Sequence, residues 1–274
     1  MCHVRVRLAL LALALLAPVA TVAAAVETLR IGGSGKGMGT MRLLGSAFER
    51  ERPGVKVLVV PELGTSGGFK ALSKNAIDVL VSNRPLLPKE ASPAFVEMVY
   101  ARAAFVLVTS ASQSVDSLTL SELADMYAGR RSTWPDGTAI RLVLRPSAGA
   151  DTMLLRQFSP AVDAAVQIAQ ARPGMLNSSS DQETLRLVER VPGAIGVSTL
   201  ASVRLHIPAL KALALNGVTP GPDTLANGSY PHYVPMRMVR KRGAGPAVQQ
   251  FFDFVKSPAG GAVLLSVGNW VPAE

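Results

Sequence analysis

Between Leu29 and Leu86 the chain repeats one sequence of events: an aliphatic run, a turn of small residues, then helical spacing. No other feature constrains the fold as much. Leu29 to Gly33 reads as a strand that runs into Gly32-Gly33-Ser34-Gly35-Lys36-Gly37. Met41, Leu44, Ala47 and Phe48 follow at helical spacing, and Pro53-Gly54 ends the pattern. Val55 to Val60 is a nearly unbroken β-branched run, which predicts a strand buried on both faces. Gly64-Thr65-Ser66-Gly67-Gly68 opens a short helix through Leu72. Ile77 to Ser82 is a third strand, closed by Asn83-Arg84-Pro85. Strand, helix, strand, helix, strand predicts an α/β fold with a mainly parallel sheet and crossover helices.

Phe105 to Thr109 is another buried strand, and the character of the chain then changes. Ser121 to Tyr127 is helical, Gly129 to Gly137 is a basic, turn-rich loop around Trp134, and Ile140 to Leu144 is a strand. Arg145-Pro146-Ser147-Ala148-Gly149 is a third turn, before a helix from about Asp151 to Phe158. Gln182 to Glu189 is amphipathic, and Pro192-Gly193-Ala194-Ile195-Gly196 turns into a short strand. Val234 to Val239 is a late strand and Ala247 to Lys256 a closing helix.

The first 25 residues read as an export signal. Arg5 and Arg7 precede an apolar run from Leu8 to Leu16, Pro18 ends that run, and Ala23-Ala24-Ala25 suits a signal peptidase. The run is shorter than the roughly 20 residues that span a bilayer. The expected product is periplasmic. The sole cysteine, Cys2, precedes the apolar run, so the mature chain has no disulfide, thiolate metal site or cysteine nucleophile. Removing Arg5 and Arg7 from a formal charge of +9 leaves +7, a field that gathers small anions. Nucleic acid is not an expected partner outside the cytoplasm, and Arg240-Lys241-Arg242 reads as a solvated basic face.

The three turns share a chemistry. Each lies between a strand and a helix start and carries hydroxyls: Ser34, then Thr65 and Ser66, then Ser147 and Thr152. A helix start presents unpaired N–H groups and the positive end of a dipole. Glycines such as Gly35 and Gly67 let a ligand approach that backbone, so the turns are candidate anion cradles. Lys36, Asn83, Arg84 and Arg145 stand at the same strand ends, which face the binding crevice of a parallel sheet. Nucleotide motifs fail here. Gly37 follows Lys36 where GxxxxGK[ST] needs serine or threonine, and no glycine completes GxGxxG. Gly64 to Gly68 does fit GxSxG, which keeps open a serine hydrolase with Ser66 as nucleophile and His206 or His232 as base. No HExxH or clustered ligand set indicates a metal, and no cofactor is expected.

Taken in order, these segments resemble the periplasmic phosphate-binding proteins of ABC transporters, within the type II periplasmic-binding fold. The resemblance rests on Ile31 to Phe48, Gly64 to Leu72 and Asp78 to Leu86. It continues through Tyr127 to Gly137 with Trp134, Arg145-Pro146-Ser147, Pro192 to Gly196, Asn227 to Pro231 and Gly268 to Pro272. It implies two lobes, residues 26–104 plus 233–274 and residues 105–232, joined by two crossing strands. It also implies a small oxyanion, phosphate foremost, held in the cleft of a monomer that serves an ABC permease. By position, Ser34 and Ser66 would donate hydroxyls and Arg145 would pair with the anion. The chain departs from the family in three places. Asn83 stands where the phosphate binders have an aspartate that accepts the ligand's proton, and Lys36 where threonine is usual. The third turn is shortened to Gly149-Ala150-Asp151-Thr152. A binding fold that acts through protein–protein contacts, without a small ligand, is the remaining alternative.

Overall fold

A computed structural model describes residues 26–206 and 209–272; the expected export signal lies outside the described residues. The opening pattern folds as β1 (Glu27–Gly33), α1 (Gly35–Glu51), β2 (Val55–Val59), α2 (Gly64–Ser73) and β3 (Val79–Ser82). Both β2 and β3 run parallel to β1, with Ile31 opposite Val59 on one side and Val79 on the other. Met38, Met41, Leu44 and Phe48 form the apolar stripe of α1 and are buried against this sheet. Each such side chain contributes roughly 1.5–3 kcal/mol of burial, so the stripe fixes how α1 lies across the strands. The expectation for β2 needs correction. It lies at the sheet's edge, pairing among the described residues only with β1, and alternates half-buried and exposed residues instead of being covered on both faces. A β-branched run suits an edge strand as well as a central one, because β-propensity follows packing on one pleated face.

The next strand, β4 (Phe95–Ser110), is much longer than its apolar run suggests. From Phe95 to Val99 its residues are half-buried or exposed, Tyr100 and Ala101 are buried, and after half-buried Arg102 burial is continuous from Ala103 to Thr109. There follow β5 (Ser117–Leu118), α3 (Leu120–Ala128), β6 (Arg141–Leu144), α4 (Ala150–Arg156) and α5 (Pro160–Ala171). A capping box between Thr119 and Glu122 starts α3, and Gly129 in the left-handed region ends it. Sequence periodicity leaves α5 unassigned, yet Ser159 caps it and Pro160 occupies its first turn, a helix-start signal in plain view. The chain continues through β7 (Leu176–Asn177), α6 (Asp181–Arg190), β8 (Ala194–Thr199), α7 (Leu200–His206), β9 (Leu210–Ala212), β10 (Ala214–Leu215) and α8 (Pro222–Ala226). It closes with β11 (Tyr233–Lys241), α9 (Pro246–Lys256), α10 (Pro258–Ser266) and β12 (Asn269–Trp270).

The strands run in the order β2-β1-β3-β11-β4-β8-β6-β7, with β9 and β12 on β4 and a separate β5–β10 pair. The two ends of this array are parallel: β2, β1 and β3 at one, β8, β6 and β7 at the other. Between them β4 and β11 run antiparallel to their neighbours. Along β4 the pairing switches partner. Residues up to Ala104 pair with β11, and those from Phe105 pair with β8. Each parallel end thus has its own helices and its own row of strand ends, and β4 connects them. Trp134, buried and isolated in its loop, donates its indole N–H to the Gly193 carbonyl at 2.9 Å and ties the loop before β6 to the turn before β8.

Candidate functional site

Local geometry at the end of β1 is set by two glycines. Gly33 has φ +134°, and a Cβ there would lie 2.1 Å from the Val81 carbonyl oxygen. Gly68 has no room for a side chain either, because its Cβ would fall 2.8 Å from the Gly33 Cα. The start of α2 therefore packs directly on the end of β1, and the chain turns at once into α1. Ser34 sits at the N-cap of α1, buried, with its amide donating to Val81 O at 2.9 Å; its hydroxyl caps nothing in the helix.

The first free amide of α1 is taken by an acid that the sequence reading does not single out. Gly35 N–H donates to Glu62 Oε1 at 3.2 Å, so a carboxylate already lies at this helix start. Burial raises the Glu62 pKa, and the nearby Asp181 charge adds to it; the Gly35 amide, the Ser180 hydroxyl and the Lys36 charge act in the opposite direction. Lys36 neither faces solvent nor stands free. Its side chain is 2% exposed, and the ammonium donates to Asp151 Oδ2 at 2.9 Å and Asp181 Oδ1 at 2.7 Å. Burial alone would lower its pKa, but the two carboxylates outweigh that and raise it.

Asp151 and Asp181 occupy the first turns of α4 and α6, at the other parallel end of the sheet. Arg145, one residue past β6, donates Nε–H to Asp151 Oδ2 at 3.0 Å and Nη1–H to the Ser178 carbonyl at 3.0 Å. Its Nη2 makes no hydrogen bond among the described residues. Ser198 donates to Asp181 Oδ1 at 2.9 Å. Two cations and two aspartates thus form one buried cluster that draws on both parallel ends. Burial raises the Asp151 pKa, yet the charges of Lys36 and Arg145 prevail and hold it below the usual 3.8. Such a group stabilises the fold fully above the unfolded pKa, and that stability is lost as pH falls through the lower folded value. Asp151→Asn should cost about 1.5–3 kcal/mol at pH 7, the worth of a hydrogen bond to a charged group. It should also flatten the loss of stability below about pH 4. Thermal unfolding followed from pH 2 to 7 checks both, and an unchanged acid slope would remove Asp151 as its source.

A second group forms around α2 and the end of β3. Thr65 donates its hydroxyl to Asn83 Oδ1 at 2.9 Å. Arg84 grips Glu90 at 2.7 and 3.0 Å, donates to the Pro85 carbonyl at 2.9 Å, and reaches Ser66 Oγ at 3.1 Å. Its hydrogen bonds hold the Glu90 carboxyl below the usual range against burial. Ser66 and Gly67 are exposed. The third turn divides. Thr152 donates to the Arg145 carbonyl at 3.2 Å, while Ser147 is exposed and lines, with Thr152 and Gln170, a separate recess against α5. Ser34, Gly35, Lys36, Arg145 and Thr152 therefore gather around the ion cluster, Thr65, Ser66, Gly67, Asn83 and Arg84 around α2, and Ser147 stands outside both.

Neither histidine serves Ser66 among the described residues. His206 Nε2 lies 3.4 Å from Glu189 Oε2. His232 stacks on Phe158 at 3.8 Å between centroids, and burial lowers its pKa. Glu62, Asp181 and Ser198 join the site without a signal in their local sequence. An acid in a helix's first turn or an acid in a loop is ordinary, and only the fold brings these groups to Lys36.

Residues 18–259 match a family model described as a PBP superfamily domain. The phosphate-binding protein PstS of Bacillus subtilis is 24% identical over 237 residues, covering 84% of this chain and 75% of that one. SphX of Synechococcus elongatus is 28% identical over 203 residues, 67% of this chain and 58% of that one. Among solved structures, a substrate-binding protein with bound phosphate from Clostridium perfringens superposes with a TM-score of 0.71 at 22% identity. That match covers 90% of this chain and 100% of that one.

Proposed function

Because the chain belongs to the PBP superfamily, we propose that it is the periplasmic solute-binding protein of an ABC importer, capturing phosphate or a similar oxyanion between two lobes. In this reading residues 26–104 with 233–274 make one lobe and residues 105–232 the other, a division supported by the change of β4's partner between Ala104 and Phe105. The observation that carries the reading is Arg145. It stands at the end of a parallel strand, its Nε and Nη1 are anchored on Asp151 and Ser178, and its Nη2 remains for an anion oxygen. Relatives named for phosphate binding support the ligand class. The work is recognition and delivery to a permease by a monomer, with no covalent step. Ser66 accepts from Arg84 and bonds neither imidazole among the described residues, which favours binding over a serine-hydrolase reading.

A thermal-shift screen of the mature chain against phosphate, sulfate, phosphonates and small carboxylates tests this reading. A ligand at a hundred times its Kd stabilises by about 2.7 kcal/mol. For a chain of this size that raises Tm by roughly 5–10 °C. Phosphate is expected to produce that shift. No shift with any of the anions would overturn the reading and favour a partner-binding role.

A further inference from the structure

We propose that Lys36, Asp151 and Asp181 form an internal latch that holds the two lobes together without ligand, so that oxyanion capture displaces an ion cluster instead of filling an open site. The latch itself needs no ligand identity; its competition with the anion rests on the oxyanion reading above.

Three helix starts meet between the lobes, and each already has a carboxylate: Glu62 at the Gly35 amide of α1, Asp151 in the first turn of α4, Asp181 in the first turn of α6. The positive dipole ends that would attract an anion are therefore met from within the chain. The Lys36 ammonium crosses between them as an ion pair: it is carried on α1 of the first lobe and bonded at 2.9 and 2.7 Å to both aspartates of the second. These charge-assisted bonds are buried, where screening by solvent is weak. The backbone closes with them. Ser202 of α7 donates to the Lys36 carbonyl at 3.4 Å, and a Cβ on Gly39 would lie 3.0 Å from Leu205 Cδ1, so α1 and α7 approach through a glycine.

Each aspartate also keeps one buried oxygen, Asp151 Oδ1 and Asp181 Oδ2, with no partner among the described residues. These acceptors would repel a fully ionised oxyanion that entered while the latch is shut. An anion can be bound well only after Lys36 leaves the aspartates, and the apparent affinity falls with the fraction of molecules that are open.

The mature chain has no cysteine, so pairs of spin labels can be placed cleanly. Labels on Lys70→Cys in α2 and Gln167→Cys in α5, both exposed, report the distance between lobes. Two variants remove the latch in different ways. Lys36→Met removes the cation, whereas Asp181→Asn keeps every cation and an oxygen for Ser198. Circular dichroism establishes that each is folded, and Asp181→Asn carries the test alone if Lys36→Met is not. In phosphate-free buffer, the wild type should show the same short distance as at saturating phosphate. Each folded variant should shift its main population to longer distance, and Asp181→Asn should bind phosphate at least tenfold more tightly. The latch is overturned if the ligand-free wild type already sits at the longer distance, or if the variants superimpose on it. Phosphate affinity in Asp181→Asn equal to or weaker than wild type would overturn the competition. A shifted distance with no binding of any anion to wild type or variants would instead sink the oxyanion reading and leave the latch standing.

Discussion

Replacing Arg145 with alanine should lower phosphate affinity by 2–5 kcal/mol, about 30-fold to several thousand-fold, while leaving the fold intact. The guanidinium is mostly buried and held by Asp151 and the Ser178 carbonyl, so its remaining N–H groups are fixed before any ligand arrives. Such preorganisation makes the loss large, because a bound anion would keep its buried charge without a partner. The fold should survive because Asp151 retains Lys36 as a counter-ion. Arg145→Lys should recover part of the affinity, since a lysine keeps the charge but cannot grip two oxygens in one plane. Calorimetry on the three proteins decides the matter, and an affinity unchanged in Arg145→Ala would remove this residue from the site.

Gly33→Ala is expected to leave little folded protein. At φ +134° an L-residue is strained by about 1–3 kcal/mol before any contact is considered. The added Cβ would also stand 2.1 Å from the Val81 carbonyl oxygen, which is itself bonded to Ser34 N–H and held in the β1–β3 pairing. Neither side can move without breaking the junction from which α1 departs and on which α2 packs. A loss above about 4 kcal/mol is a large part of the 5–15 kcal/mol that holds a typical domain. Gly137→Ala is the control: its φ is +83° but nothing lies within 4 Å, so only the backbone strain applies. Urea unfolding of both variants separates strain from clash. Equal midpoints would show that the Val81 contact has no bearing on stability.

Much of the fold is legible in the sequence because its signals are local. The order from β1 to β3, the amphipathic faces of α1 and α6, and the helix α9 all follow from spacing within one element, although α10 and β12, not α9, come last. The edge position of β2 was not legible, because a β-branched run carries no record of how many neighbours it will have. The first half of β4 was missed for a related reason. From Phe95 to Val99 no residue is fully buried and Arg102 interrupts the run, so the continuous apolar signal begins only at Ala103; the stretch before it is fixed by pairing with β11, which joins residues far apart in the chain. For the candidate site, the residue types of the turns point to Ser34, Thr65, Ser66 and Arg145, which the structure divides between the ion cluster and the group around α2. They did not announce that Ser147 would face α5 while Thr152 turned to the Arg145 carbonyl.

By itself the sequence determined the alternation of strands and helices, the strand ends on which hydroxyls and cations stand, and the absence of cysteine after position 25. Tertiary structure alone decided what those cations meet. Lys36 finds Asp151 and Asp181 across separations of 115 and 145 residues, and Glu62 finds the start of α1 across 27. The reason is physical. Propensity and periodicity act over a few residues, whereas a buried charge is satisfied by whichever partner the packing of distant elements brings within about 3 Å.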